Sequence, residues 1–147
     1  MTDRMTARVT GKAKTFSWIA QVVAAVILGQ TLFFKFTGAE ESIALFEKLG
    51  AEPFGRYGTG ILELIAVVLL LRSRTAALGG VLSAGLMVGA VGSHLGPLGI
   101  EWYDDGGFLF ALAVTTLVCS SLVVFLRRSE LPVVGGLFAA KAPQPSV

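Results

Sequence analysis

One carboxylate, Glu63, stands deep in an otherwise apolar run, residues 57–71. A charge left unpaired at membrane depth costs on the order of 3 kcal/mol, so Glu63 must be protonated or paired. A carboxyl group in either state can exchange a proton or bind the polar part of a ligand. It can equally serve as a clamp between helices, and the two readings stand open. Arg56, Thr59 and Glu63 fall at i, i+3 and i+7, on one helical stripe, which makes an Arg56–Glu63 bridge available. Lys35 lies among Phe33, Phe34 and Phe36 near the end of the first apolar run. It either snorkels to the interface or answers Glu63. Gln30, about 1.5 turns deeper, is suited to hydrogen bonding across helices.

His94, in Ser93-His94-Leu95-Gly96-Pro97, ends the third apolar run at the level of Lys35 and Arg56. It reads either as a boundary residue or as a proton-exchanging ligand contact. Gly85, Gly89, Gly92 and Gly96 make a small-residue stripe about 180° from His94, suited to close contact within or between chains. If that stripe faces the helical core, His94 faces elsewhere. One cysteine, Cys119, and one histidine exclude a disulfide framework, a Cys/His zinc site and a CxxCH haem attachment. No metal site is expected, and Cys119 reads as an inert packing residue.

These residues need a scaffold, and the composition names its class. Of 147 residues, 54% are hydrophobic and 15% charged, with a mean hydropathy of +0.74; a water-soluble globule is excluded. A net charge of +2 on scattered cations also excludes a nucleic-acid footprint. Four apolar segments, 16–36, 57–71, 75–95 and 107–126, predict four transmembrane helices. The second covers only about 22 Å of a hydrocarbon core of about 30 Å, and crosses with Arg56 and Arg72 snorkelling outward or with the bilayer thinned locally. The fold class expected is all-α: an integral membrane four-helix up-down bundle forming one domain.

Arg4, Arg8, Lys12 and Lys14 precede the first segment, Arg72 and Arg74 join the second to the third, and Arg127, Arg128 and Lys141 follow the fourth. By the positive-inside rule both termini, 1–15 and 127–147, and the middle loop are cytoplasmic. The two outer loops carry Glu40, Glu41, Glu47, Glu52, Glu101, Asp104 and Asp105. The first run is longer than the h-region of a signal peptide and reads as an uncleaved helix. Ile43, Phe46 and Leu49 recur at helical spacing between Ser42 and Gly50, predicting a short interfacial helix in the first outer loop. Trp102 and Tyr103 suit an outer aromatic belt and Trp18 an inner one. The apolar tail 131–140 is half a span long, with Pro143 and Pro145 beyond it.

Several ordered motifs carry a resemblance. They are Gln30-Thr31-Leu32-Phe33-Phe34-Lys35-Phe36-Thr37-Gly38-Ala39, Leu49-Gly50, Glu52-Pro53-Phe54-Gly55-Arg56 and Gly60-Ile61-Leu62-Glu63-Leu64, then Gly89-Ala90, Ser93-His94-Leu95, Leu98-Gly99-Ile100-Glu101 and Asp105-Gly106-Gly107. Over residues 16–126 the chain resembles the DoxX-like family of small bacterial four-helix membrane proteins, with Leu32 where relatives often carry glycine. The resemblance implies a location in the bacterial cytoplasmic (inner) membrane. It also implies kinship with the small membrane subunit of thiosulfate:quinone oxidoreductase and, as in some relatives, a place in a membrane redox assembly. It groups Lys35, Arg56, Glu63, His94, Glu101 and Asp105 in the outer half.

The function expected is a redox-associated membrane subunit that binds a quinone-like or other small amphipathic molecule in an outer-half polar cleft, with Glu63 or His94 exchanging protons. Quinone is the one cofactor this implies; none is intrinsic. The bilayer, a redox partner protein and a second copy of the chain are the expected partners. A structural or assembly subunit without a ligand, and a small transporter-like protein, are the alternatives.

Overall fold

The computed structural model describes residues 8–138, which form helices and turns with no strand among them. In order they are α1 (Gly11–Thr37), α2 (Glu40–Lys48), α3 (Phe54–Leu70), α4 (Ala76–Leu95) and α5 (Phe108–Leu126), followed by a 3-10 turn (Arg128–Glu130) and a helical turn (Gly135–Phe138). Of these, α1, α4 and α5 are long and apolar enough to cross a membrane. The 17 residues of α3 rise only about 25 Å. Pro143 and Pro145 lie outside the described residues.

Each helix ends for a local reason. α1 stops at Gly38, whose φ of 69° lies in the left-handed region that glycine enters without strain; the N–H groups of Gly38 and Ala39 both bond to the Phe34 carbonyl. α2 begins at Glu40, two residues before the expected Ser42 cap. Glu40 and Glu41 in its first turn and Lys48 in its last complement the helix dipole. α3 starts directly behind Pro53 and α4 ends before Gly96-Pro97. The tight turn between them is closed by Thr75 Oγ1, which donates to the Leu69 carbonyl at 3.0 Å.

α1 packs against α3 and α5, and α4 packs against the same two helices. The chain therefore alternates up and down. At one end Arg127 after α5 meets Ser17 of α1 and the α3–α4 turn. At the other, Trp102 in the α4–α5 loop reaches the Glu41 carbonyl of α2 at 3.2 Å, with the Lys48 ammonium 5.2 Å from its ring centre. The second end collects the acidic loops and the first the basic segments, as the charge pattern anticipates.

The packing is inside-out relative to a soluble protein. The core is small: Ala20, Ala24, Ala66, Ala76 and Ala113, with Leu28, Leu70, Met87 and Val123. Large side chains face outward, among them Phe16, Val26 and Phe33 on α1, Ile61, Ile65 and Val68 on α3, Val88 on α4, and Val118 and Phe125 on α5. Ser83 of α4 and Ser120 of α5, both fully buried, share a hydrogen bond of 2.7 Å. Polar glue between close backbones is an arrangement suited to lipid.

The glycine stripe of α4 faces away from this core. A Cβ at Gly85, Gly89 or Gly92 would meet nothing within 4 Å, whereas His94, on the opposite face, is buried. Close approach falls instead on Gly79, where a Cβ would lie 2.6 Å from the Leu70 nitrogen, and on Gly80, where it would lie 3.1 Å from the Ser120 carbonyl. Gly79→Ala is expected to cost about 1–3 kcal/mol through backbone displacement, while Gly85→Ala gains about 0.5–1 kcal/mol from helix propensity. Reversible unfolding in mixed detergent micelles measures both; equal effects would contradict this packing.

Candidate functional site

α3 turns Arg56, Gly60, Glu63, Ala66 and Leu70 inward as one buried stripe. Glu63 is its only carboxylate, with a side chain 6% exposed. The last turns of α1 bring two partners to it. Lys35 Nζ donates to both carboxylate oxygens, at 3.0 and 2.9 Å, and Thr31 Oγ1 lies 3.2 Å from Oε2. Thr31 and Lys35 are four residues apart, on one helix face. Glu63 and Lys35 are thus a two-pronged ion pair between α1 and α3. Taking both charges out of water is expensive, and only close geometry with further hydrogen bonds offsets it. The lysine side chain keeps 13% of its surface exposed. An ammonium has three protons; Glu63 takes two, and the third is left for another acceptor.

Aromatic rings are exposed along these ends of α1 and α3. Phe33, Phe34, Phe36, Phe54 and Tyr57 are all exposed. The Phe36 and Tyr57 rings stack with centres 6.4 Å apart, and Phe36 also covers Gly60, where a Cβ would meet its ring at 3.1 Å.

Arg56 does not bridge to Glu63. Its Nε and Nη2 hold Glu52 at 2.9 and 2.7 Å, and its Nη1 donates to the Lys35 carbonyl. Thr59 spends its hydroxyl on the Gly55 carbonyl. The reason is competition: Glu52, four residues before Arg56, offers both oxygens to the guanidinium, while Lys35 occupies both oxygens of Glu63. Arg56 acts on the site by fixing the backbone of Lys35.

His94 and Asp105 form a second cluster, where α4 meets α5. His94 is buried; its Nδ1 lies 2.8 Å from the Gly99 carbonyl and its ring packs edge-on against Phe110. A carbonyl only accepts, so Nδ1 is the donor in this bond. Asp105 caps α5, accepting from the backbone N–H groups of Trp102, Gly107 and Leu109 at 3.0, 2.8 and 2.8 Å. Burial opposes its ionisation, but these three bonds and the field of His94 prevail and hold its carboxyl below the usual range. Gly106 and Gly107, at φ of 63° and 83°, let the loop turn sharply enough to aim those N–H groups at it. Gln30 and Glu101 are exposed and stand outside both clusters.

A third polar network lies at the basic end. Arg127 is 2% exposed. It donates from Nε to Ser17 Oγ at 2.7 Å and from Nη1 to the Ser73 carbonyl at 2.9 Å and Glu130 at 3.0 Å. Gln21 Nε2 donates to the same Ser17 hydroxyl at 2.8 Å. Glu52, Thr31 and Arg127 are not among the site residues that the sequence points to. Spacing offered the only signals: i and i+4 for Glu52–Arg56, Thr31–Lys35 and Ser17–Gln21, and i and i+3 for Arg127–Glu130.

Comparison with protein-family models, curated proteins and solved structures gives no match in any of the three.

Two outcomes follow from this geometry. Lys35→Met leaves Glu63 buried without its counter-charge and is expected to cost about 3–5 kcal/mol, most of which the double variant Lys35→Met/Glu63→Leu recovers; micelle unfolding titrations read the difference. Asp105 is held below its ordinary pKa, so its stabilisation is present above the unfolded-state pKa and lost as pH falls through the folded one. Asp105→Ala is therefore expected to cost about 1 kcal/mol at pH 7 and to flatten the acid limb of stability against pH. An unchanged acid limb would refute the capping role.

Proposed function

We propose that the chain is a DoxX-like subunit of a bacterial inner-membrane redox assembly, which docks a planar, amphipathic, quinone-like molecule at the acidic end of α1 and α3. In this reading α3 is a fourth span and both termini are cytoplasmic. The outward apolar face of α3 and the segregation of basic and acidic ends support that topology. The single observation that carries the docking reading is the partly exposed Lys35 side chain, anchored by Glu63 where the ends of α1 and α3 also expose Phe34, Phe36 and Tyr57. Its remaining N–H is a donor for a ligand carbonyl, and exposed rings offer a face to a planar head group. A quinone supplies the electron-carrying chemistry when bound. Lys35 orients its carbonyl, and Glu63 holds the ammonium charged and in place.

A second reading is favoured by the full occupancy of the Glu63 oxygens: the pair is a brace between α1 and α3 and binds nothing. A short-chain ubiquinone analogue, titrated into the purified protein in detergent, separates the two. Docking predicts saturable binding that weakens about 10- to 100-fold in Lys35→Gln, the loss of one charge-assisted hydrogen bond. Glu63→Gln is expected to lose the ligand while staying folded by circular dichroism. Absence of saturable binding to the native chain, or equal affinity in Lys35→Gln, would leave only the brace.

A further inference from the structure

At the basic end, remote from Lys35 and Glu63, a pocket of about 300 Å³ is walled by Arg8, Ser73, Arg74 and Glu130. Its one carboxylate is already engaged on both oxygens: Glu130 Oε1 accepts the Val9 N–H at 3.1 Å and Oε2 accepts Arg127 Nη1 at 3.0 Å. Arg8 and Arg74 form no ion pair among the described residues. Two arginines therefore line one pocket whose only acid among the described lining residues is already engaged. Their placement is built, although 66 positions of sequence separate them. The backbone beside Arg8 is pinned by Glu130, and the backbone beside Arg74 is pinned by Arg127, through the Ser73 carbonyl. The buried Arg127–Glu130 pair, with side chains 2% and 8% exposed, thus holds the amino-terminal segment and the α3–α4 turn across the pocket. In the same network Arg127 Nη2 and Gln21 Oε1 are both buried without a hydrogen-bond partner.

We infer that this pocket binds the phosphate of an anionic phospholipid. Guanidinium forks match a tetrahedral oxyanion, and Ser73 lines the same pocket. The pocket lies just beyond the apolar faces of α1 and α3, where Phe16 and Leu71 are exposed, so hydrocarbon and phosphate are accommodated side by side. Basic pockets at the ends of apolar helices are suited to anionic head groups.

The test uses the full chain in detergent, titrated with dioleoylphosphatidylglycerol or dioleoylphosphatidylcholine and read by native mass spectrometry. The native protein is expected to prefer phosphatidylglycerol by about tenfold or more, and R8Q/R74Q to lose that preference. K14Q/R72Q, which removes as much charge outside the pocket, is expected to keep it. Loss in both double variants would mean diffuse surface charge and overturn the site. Retention in R8Q/R74Q would overturn it equally. Inorganic phosphate that binds alone and displaces the lipid at millimolar concentration would assign the pocket to a free anion and overturn the lipid reading.

Discussion

An ionised group inside an apolar helical assembly must bring its own counter-charge, because nothing else there can solvate it. The structure meets this constraint at both ends with a buried pair. Lys35 and Glu63 join α1 to α3 at the acidic end, and Arg127 and Glu130 tie the amino-terminal segment, α1, the α3–α4 turn and the end of α5 at the basic one. Each pair fixes register as well as charge: a carboxylate gripped through both oxygens tolerates little sliding between its helices. Arg56 extends the first pair by holding the Lys35 carbonyl, so the end of α1, the start of α3 and the loop residue Glu52 move as one unit.

Between the two ends the helices close on one another through small residues rather than large ones. Alanines fill the centre, Ser83 and Ser120 form a hydrogen bond across it, and Gly79 and Gly80 let α4 approach the end of α3 and the side of α5. This economy of volume turns the large side chains outward. The same inversion exposes Phe34, Phe36 and Tyr57 at the end where Lys35 meets Glu63, so the feature that suits the chain to lipid also brings rings to the end that holds this pair.

Much of this was legible in the amino-acid sequence, and the boundary is physical. The long helices follow from apolar runs, the two distinct ends from the placement of cations and acids, and the need for a partner at Glu63 from the cost of burying it. Lys35 is identifiable as that partner only on the condition that α1 and α3 lie side by side. The partner of Arg56 was not legible, because Glu52 and Glu63 both lie within helical reach and the choice turns on the loop that delivers Glu52. Nor was the facing of α4: a glycine stripe and a histidine on opposite faces are symmetric alternatives until neighbouring helices choose, and they chose the histidine. Arg127 read as one basic residue among several at a helix end. Nothing local marks a guanidinium that will be buried by segments more than fifty positions away.

The account rests on Lys35 and Glu63 being a charged pair whose ammonium remains open to an acceptor. Solid-state NMR of the protein in bilayers, with ¹⁵N-labelled lysine and ¹³C-labelled glutamate side chains, observes both groups directly. The account predicts ammonium and carboxylate resonances with a dipolar contact between them, and a shift of the Lys35 Nζ signal when a short-chain ubiquinone analogue is added. A protonated Glu63, or an ammonium signal indifferent to the analogue, would contradict it.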